Sequence, residues 1–400
     1  MTQIYRQFIF ILLLGLIIRV VTIQFFGDII LENEWGTIVR NLQESEIFGF
    51  RTFGEKVYPT IYMPPLYPYL LYILKISSFF SETNFVLYVL YFQLLVSILT
   101  IIIFKKLLDL FFSNFISMIG VLIFTFFPLN IYSVAQISSV CIYVFLSITF
   151  FYLLFNFIKK RKLVILIYFS FISSLLILIR GEFFLIYLIS LIFIYFQNKV
   201  FKNIITSFVI TLLLVSPYLV RNYLIFDSIT ITKSSGYNLW KGNNKFSNSE
   251  GSEIIINQSL KNEIDLLKPS NTYDLEFDNL FKNQAIKNLK EEPYKYLLKF
   301  FEKAFSFFFV DLKSTYPDYY NILHIFPKII LGILSILGGI QIFNKSIELK
   351  YLFFYYLFYG AIFSVFFILP RYSLMLLPVQ VILTCSFLSG LKIFNKIKKL

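Results

Sequence analysis

From Phe8 to Leu391 the chain repeats one pattern: an apolar run about as long as a bilayer-crossing helix, then a polar break. Crossing a bilayer's hydrocarbon core takes roughly 20 apolar residues of helix, and soluble domains do not string such runs end to end. Ten spans fit the pattern: Phe8 to Phe26, Phe85 to Phe104, Ile116 to Ile131, Ile137 to Ile158, Leu163 to Ile179, Phe183 to Phe196, Ile204 to Leu219, Ile322 to Phe343, Tyr351 to Ile368 and Leu374 to Leu391. Charged residues make up only 15% of the chain, where a soluble domain carries about 25%. The predicted fold is an all-α polytopic membrane protein. It has about ten transmembrane helices plus interfacial helices, and a small mixed insertion on the outer face.

The 36 Lys and Arg residues give a net charge of +13, which on a soluble chain would suggest nucleic acid. Here they gather in short clusters between apolar runs, so no nucleic-acid partner is expected. With the amino terminus inside, Lys105-Lys106, Lys159 to Lys162, Lys199 with Lys202, Lys345 with Lys350, and Lys392 to Lys399 fall on one side, which the positive-inside rule makes cytoplasmic. Ile4 to Phe26 reads as a retained signal anchor, since it lacks a small-residue cleavage site. Cys141 and Cys385 both lie in apolar runs, so no disulfide framework is expected, and a lone His324 argues against a His-rich metal site.

The opposite side receives the first outer loop (27–84), Arg180-Gly181-Glu182, the segment from Arg221 to Tyr320, and Arg371. Three regions follow: an N-terminal transmembrane module (1–222) that includes the first loop, a polar insertion (223–300), and C-terminal transmembrane helices (301–400). The stretch YMPPLYPYLLYILKISSFF at 62–80 is apolar but broken by Pro64, Pro65 and Pro68. Counting it as a span would invert every later loop, so it is predicted to lie at or dip into the interface. From Asp278 to Phe309 apolar residues recur at helical spacing, and this part is expected to return along the membrane surface.

The residues that can carry chemistry lie on that polar side. In DIILENEWGTIVRNL, residues 28–42, a helix would set Asp28, Glu32 and Trp35 on one face and Glu34, Ile38 and Asn41 on another. One carboxylate at the mouth of a membrane cavity can act as a general base toward a hydroxyl, and two can hold a divalent cation. An acidic surface turn is the plainer reading. Around the prolines, Tyr62, Pro64, Pro65 and Tyr67 suit a substrate groove, because a broken interfacial helix exposes backbone groups; a simple elbow would use the same residues. Arg180, Arg221 and Arg371 stand at outer ends of spans, against the positive-inside bias. Guanidinium matches phosphate oxygens bidentately, so a lipid-linked phosphate is the natural partner of the three. Snorkelling would account for any one of them, and Arg180 and Glu182 can satisfy each other. In GYNLWKGNN, the rings of Tyr237 and Trp240 and the amides of Asn238, Asn243 and Asn244 suit sugar or acceptor recognition, although the same set builds an ordinary turn.

In this order the pieces resemble the glycosyltransferase family 39-like proteins, relatives of the protein O-mannosyltransferases and the aminoarabinose transferase in the membrane glycosyltransferase C superfamily. The residues that carry the resemblance are EWGTIVRNL at 34–42, MPPLYPYLL at 63–71, FPLNIYSVAQISS at 127–139, LILIRGE at 176–182, SPYLVRNYLIF at 216–226, GYNLWKGNN at 236–244 and PRYSLMLLP at 370–378. The resemblance implies an inverting transferase that takes a sugar from a polyprenyl-phosphate donor on the outer face of the bacterial cytoplasmic membrane. It implies Glu34 or Glu32 as the catalytic acid of the first loop, and Arg221 and Arg371 as cations on the donor phosphate. Two positions depart from the pattern: Leu31 stands where an Asp is usual, and Ser138-Ser139 where Ser-Glu is usual.

A polyprenyl-phosphate-sugar-dependent glycosyltransferase is thus the leading expectation, with a lipid, glycan or protein acceptor and membrane lipids as partners. No resident cofactor is read from the sequence, and a divalent cation is the single candidate. A flippase for lipid-linked saccharides would also need outer cations, but no internal repeat is visible. A non-catalytic membrane assembly subunit is the third alternative, kept open by the missing Asp.

Overall fold

In lipid, each backbone amide must find its partner within the chain, and an apolar run does so by forming a helix. A computed structural model describes residues 3–78, 82–342 and 345–391; the Lys392 to Lys399 cluster lies outside the described residues. The first part of the chain forms α1 (Gln3–Phe26), α2 (Glu34–Glu44), α3 (Leu66–Ile76), α4 (Glu82–Leu108), α5 (Asn114–Phe126), α6 (Pro128–Tyr132), α7 (Val140–Lys160), α8 (Leu163–Ile179), α9 (Phe183–Asn198) and α10 (Phe201–Phe226). The polar segment adds α11 (Ser235–Gly242), α12 (Gln258–Asp265), α13 (Tyr273–Glu291) and α14 (Pro293–Phe308). Then come α15 (Ile322–Gln341), α16 (Ile347–Val365), and a 3-10 turn at Pro370–Leu376 that runs into α17 (Leu377–Gly390).

Among the described residues, six helical segments are long and apolar enough to cross a membrane: Tyr5–Phe26, Asn84–Leu108, Val140–Lys160, Phe201–Phe226, Ile322–Gln341 and Pro370–Gly390. This is the make-up of a helical membrane protein. Others of the ten expected spans are shorter, with 13 residues in α5, 17 in α8 and 16 in α9. At 1.5 Å per residue, α5 rises only about 20 Å. It stops because Phe127 is extended and Pro128 has no N–H to continue the ladder. The proline-broken α3 has 11 residues, too few to cross; it buries Tyr67, Pro68, Leu71 and Leu74 and exposes Ile73 and Ile76.

The bundle is centred on α7 and α17, while α1 and α10 expose most of their apolar surface at its periphery. Pairs of hydroxyls tie neighbouring helices: Ser190 Oγ lies 2.6 Å from Tyr351 Oη, and Ser335 Oγ 3.1 Å from Tyr356 Oη. Such bonds supply the specificity that lipid-facing apolar surface cannot. The two ends of the bundle differ in charge. At one end Lys105 pairs with Asp109 at 2.5 Å, Lys159 donates to Leu110 O, and Lys345 donates to Ser386 O at 2.6 Å. At the other end the chain following α1, the start of α7, the α8–α9 turn and the end of α16 surround a polar cavity.

The first loop and the polar segment cover that cavity together. A hairpin of β1 (Arg51–Phe53) and β2 (Lys56–Tyr58) pairs Arg51 with Tyr58 and Phe53 with Lys56; its two-residue turn opens on Gly54 at φ +64°. This strand pair belongs to the first loop, and the described part of the 223–300 insertion, expected to be mixed, is helical instead. The insertion packs on its own small core of Trp240, Leu260, Phe281 and Ala285. Asp274 of α13 clasps the two regions: it pairs with Arg51 Nε at 2.8 Å and accepts from Thr60 Oγ1 and from Ile61 N. The expected boundary at residue 300 falls inside α14, whose exposed Tyr294, Leu297, Leu298, Phe301 and Phe305 recur at helical spacing as an apolar stripe.

Candidate functional site

A cavity of about 760 Å³ opens where the first loop, the insertion and the bundle meet. Its first wall is built by the loop. The expected helix through 28–32 is not formed: α2 starts at Glu34, capped by Asn33, whose Oδ1 accepts from Gly36 N at 3.1 Å. Asp28 is held elsewhere, its Oδ2 accepting from Ile137 N at 2.6 Å and its own N–H donating to Ala135 O at 2.9 Å. Both Asp28 and Glu34 line the cavity, while Glu32 is exposed and does not. Burial pushes the Asp28 carboxyl above the usual carboxylate range, against the lowering effect of the Ile137 N–H.

Of the groove residues, Tyr62, Pro64 and Tyr67 line the cavity; Pro65 sits behind them as the cap of α3. Tyr67 is 2% exposed, its hydroxyl donating to Gln93 Oε1 at 3.0 Å and its ring meeting Trp35 edge-on at 5.0 Å. It therefore offers a ring face and no free hydroxyl. Tyr62 faces Tyr237 across 6.3 Å, and burial raises its phenol pKa.

Two of the three arginines reach this space. Arg180, which ends α8, lies 5.1 Å from the Tyr372 ring and makes only a long 3.4 Å contact with Glu182 Oε1. Arg371 approaches the same ring at 5.9 Å and has no ion pair among the described residues. Arg221 stands outside the cavity. Its Nη1 donates to Thr60 O at 3.0 Å and its Nη2 to Phe48 O at 3.3 Å, with Phe48, Tyr218 and Phe226 stacked around it. The guanidinium is tied to these two loop carbonyls and to Asn222 Oδ1 at 2.7 Å, away from the cavity wall.

The GYNLWKGNN motif splits in the same way. Tyr237 and Asn238 line the cavity, and so does Lys241, four residues beyond Tyr237 on α11. Trp240 is 3% exposed in the insertion core. The Asn243 amide donates to Leu239 O and Val365 O, both at 2.8 Å, and the Asn244 amide to Ser252 O at 2.6 Å. Trp240 and Asn244 thus hold the insertion together, and Asn243 holds it against the end of α16; none of the three lines the cavity. Gly242 permits that contact, since a Cβ there would lie 1.8 Å from Phe366 O. Behind it Lys303 donates to Phe366 O at 2.7 Å and to Asn243 Oδ1 at 3.1 Å.

Sequence reasoning ranked Asp28 third, took Glu182 only as a partner for Arg180, and overlooked Lys241, Glu253, Gln136 and Tyr372; all of these line the cavity. Lys241 had a usable signal in its i+4 spacing from Tyr237; Glu253 and Tyr372 had none. Glu253 pairs with Lys241 at 2.6 Å, and that bond holds its carboxyl below the usual range. Four helix-capping residues, Asn33, Ser139, Glu182 and Ser234, also lie in the wall, so the amino ends of α2, α7, α9 and α11 converge there. The first amides of α9 bond to Arg180 O, Gly181 O and Glu182 O, and Tyr237 N of α11 bonds to Asp278 Oδ1 at 2.9 Å, so of these ends it is that of α7, where Ser139 makes no side-chain cap bond, that brings partial positive charge to the wall. For a divalent cation, no group of three or more His, Cys, Asp or Glu converges among the described residues.

The wall thus joins ionisable groups without an opposite charge to two compensated pairs. Asp28, Glu34 and Arg371 have no oppositely charged partner among the described residues, although Asp28 accepts the Ile137 N–H, whereas Glu182 faces Arg180 and Glu253 faces Lys241. Comparison of the chain with family models, with curated proteins and with solved structures finds no match.

Proposed function

We propose that the protein is an inverting membrane glycosyltransferase that moves a sugar from a polyprenyl-phosphate donor to an acceptor hydroxyl. One observation carries the reading: a single cavity holds an uncompensated carboxylate, Glu34, and an uncompensated guanidinium, Arg371. A displacement at an anomeric carbon needs a base on one side and anion stabilisation on the other. Glu34 takes the proton of the acceptor hydroxyl, and the acceptor oxygen attacks the anomeric carbon on the face opposite the phosphate. The bond from that carbon to the phosphate oxygen breaks, its electron pair stays on the phosphate, and Arg371, Arg180 and the amino end of α7 hold the polyprenyl phosphate that leaves. Asp28, nearer the floor and more basic than an exposed carboxylate, is the second candidate for the base.

The sugar lies against Tyr62, Tyr237 and Asn238, whose rings and amide suit a saccharide. The reading places the cavity on the outer face of the bacterial cytoplasmic membrane. Its support is that the lysine-rich span ends gather at the opposite end of the bundle. The remaining apolar helices, α5, α8, α9 and α16, join the six long ones in a bundle of about ten spans in this reading.

The test is sugar transfer from a synthetic polyprenyl-phosphate sugar in proteoliposomes, wild type against Glu34→Gln and Asp28→Asn. Loss of transfer in either variant, with donor binding kept, supports the assignment. Full transfer in both removes the first-loop base, and donor movement between leaflets without transfer replaces the enzyme with a flippase.

A further inference from the structure

Seven residues before α1 ends, Arg19 is enclosed completely, with no exposed surface. Its Nε donates to Ser97 Oγ on α4 at 2.9 Å, and its Nη1 to Gly15 O at 3.2 Å. Its Nη2 is also buried and has no partner among the described residues. Among the described residues the titratable group whose field reaches it there is the Cys141 thiol, which itself donates to Gln93 O at 3.3 Å. A guanidinium keeps its charge in a protein, and an enclosed charge without a counter-charge is strongly disfavoured. Water can accept its N–H groups but cannot neutralise it. The end of α5, where Thr125 lies, offers only the partial charge of a helix terminus.

A second orphan adjoins the first. Thr125 Oγ1 is buried without a hydrogen-bond partner among the described residues. A Cβ added to Gly15 would sit 2.7 Å from Thr125 Cγ2 and 3.4 Å from Arg19 Nη1, so threonine and guanidinium meet across this one glycine. Ser97, having accepted from Arg19, still has its own O–H to give. Side chains with donors to give therefore adjoin one another from three helices, with no anionic acceptor paired to them among the described residues. We propose that Arg19, Ser97 and Thr125 form a buried site for a small monovalent anion of chloride's size, between α1, α4 and α5.

The complete enclosure of Arg19 selects against bulkier oxyanions and lipid phosphates. The site lies one layer beneath the cavity floor. Cys141 follows Val140, a wall residue, and Gln93, one turn before Ser97, holds the Tyr67 hydroxyl and the carbonyls of Val134 and Gln136. An anion here would neutralise the guanidinium and fix α1 against the helices that carry that floor. The proposal stands apart from the transferase reading and needs no sugar assay.

The full chain in nanodiscs, exchanged into sodium gluconate, is melted while chloride or bromide replaces gluconate at constant ionic strength. Saturable stabilisation by both halides, a Tm rise of about 3 °C, is expected in the wild type and absent in Arg19→Met. Thr125→Val, which keeps the side-chain shape, should raise the half-saturating chloride concentration several-fold, and this variant carries the test if Arg19→Met does not fold. In crystals grown with bromide, an anomalous peak should lie beside Arg19 Nη2. Equal melting in gluconate and chloride, halide stabilisation that survives in Arg19→Met or is unchanged in Thr125→Val, or a crystal with water and no bromide at Nη2 would each overturn the proposal.

Discussion

Arg221 and Arg371 occupy similar places in the sequence, each at an apolar span end facing the polar side, yet they do opposite work. Around Arg221 the first loop folds back so that the carbonyls of Phe48 and Thr60 point at the guanidinium, and three aromatic rings enclose it. Around Arg371 the chain turns in a short 3-10 segment, the Tyr372 ring lies at 5.9 Å, and no side-chain hydrogen bond or ion pair engages the guanidinium among the described residues. The difference is set by local supply of acceptors. A cation beside unpaired carbonyls becomes structural, and one without them remains available to a ligand anion. The same contrast separates Glu34, which no cation of the described residues meets, from Asp274, whose carboxylate is shared among Arg51, Thr60 and Ile61.

The comparison is broken most decisively at its free charges. Glu34→Gln should lower sugar transfer by about 10²–10⁴-fold, the usual contribution of a general base, while Glu32→Gln leaves it nearly unchanged. Equal losses in the two variants would show that the cavity does not distinguish them. Next in size, Asp274→Asn should destabilise the protein by about 2–4 kcal/mol, because it leaves Arg51 and the loop N–H without their buried acceptor charge; denaturant melts in detergent would measure it.

Arg371→Met and Arg221→Met sharpen the contrast directly. The first should cut kcat/KM by about 10²-fold with Tm unmoved. The second should cost about 1–3 kcal/mol of stability, chiefly by removing the donor to the Thr60 carbonyl, with the folded fraction still active. A reversal of that pattern would exchange the two roles. Gly242→Ala should cost about 1–3 kcal/mol, since its new Cβ meets Phe366 O, and melting temperature against transfer rate would separate packing from recognition.

The smallest expected effect is on pH. Burial raises the Asp28 carboxyl above its unfolded value, so the native state holds that proton more tightly. Its contribution to stability is therefore present at low pH and declines as pH rises through the raised native value. Asp28→Asn should flatten that part of the stability profile. If Asp28 is the base, transfer in the wild type should rise over the same interval.

Much of the fold was legible because lipid allows few solutions. Apolar runs had to become helices, and the proline-broken stretch at 62–80 could not be one continuous span; α3 is accordingly short. The 13-residue length of α5 was less legible, although Pro128 was in view, because hydropathy reads through a break that backbone geometry does not. At the site, Tyr62, Tyr67, Tyr237, Asn238, Glu34, Arg180 and Arg371 were identified from residue type and position, and all line the cavity. Arg221, Trp240, Asn243 and Asn244 have the same chemistry and do not, since the carbonyls and rings that engage them come from distant parts of the chain.

By itself, then, the sequence determined the solvent, the helical class and the end of the bundle at which polar chemistry collects, because these follow from local hydropathy and charge. Tertiary structure decided which of several equivalent side chains remain free. That choice depends on whether a backbone acceptor or a counter-charge from another element arrives within hydrogen-bonding distance, and Arg19, enclosed in a span with one nitrogen unpartnered, shows that the arrival is not always complete.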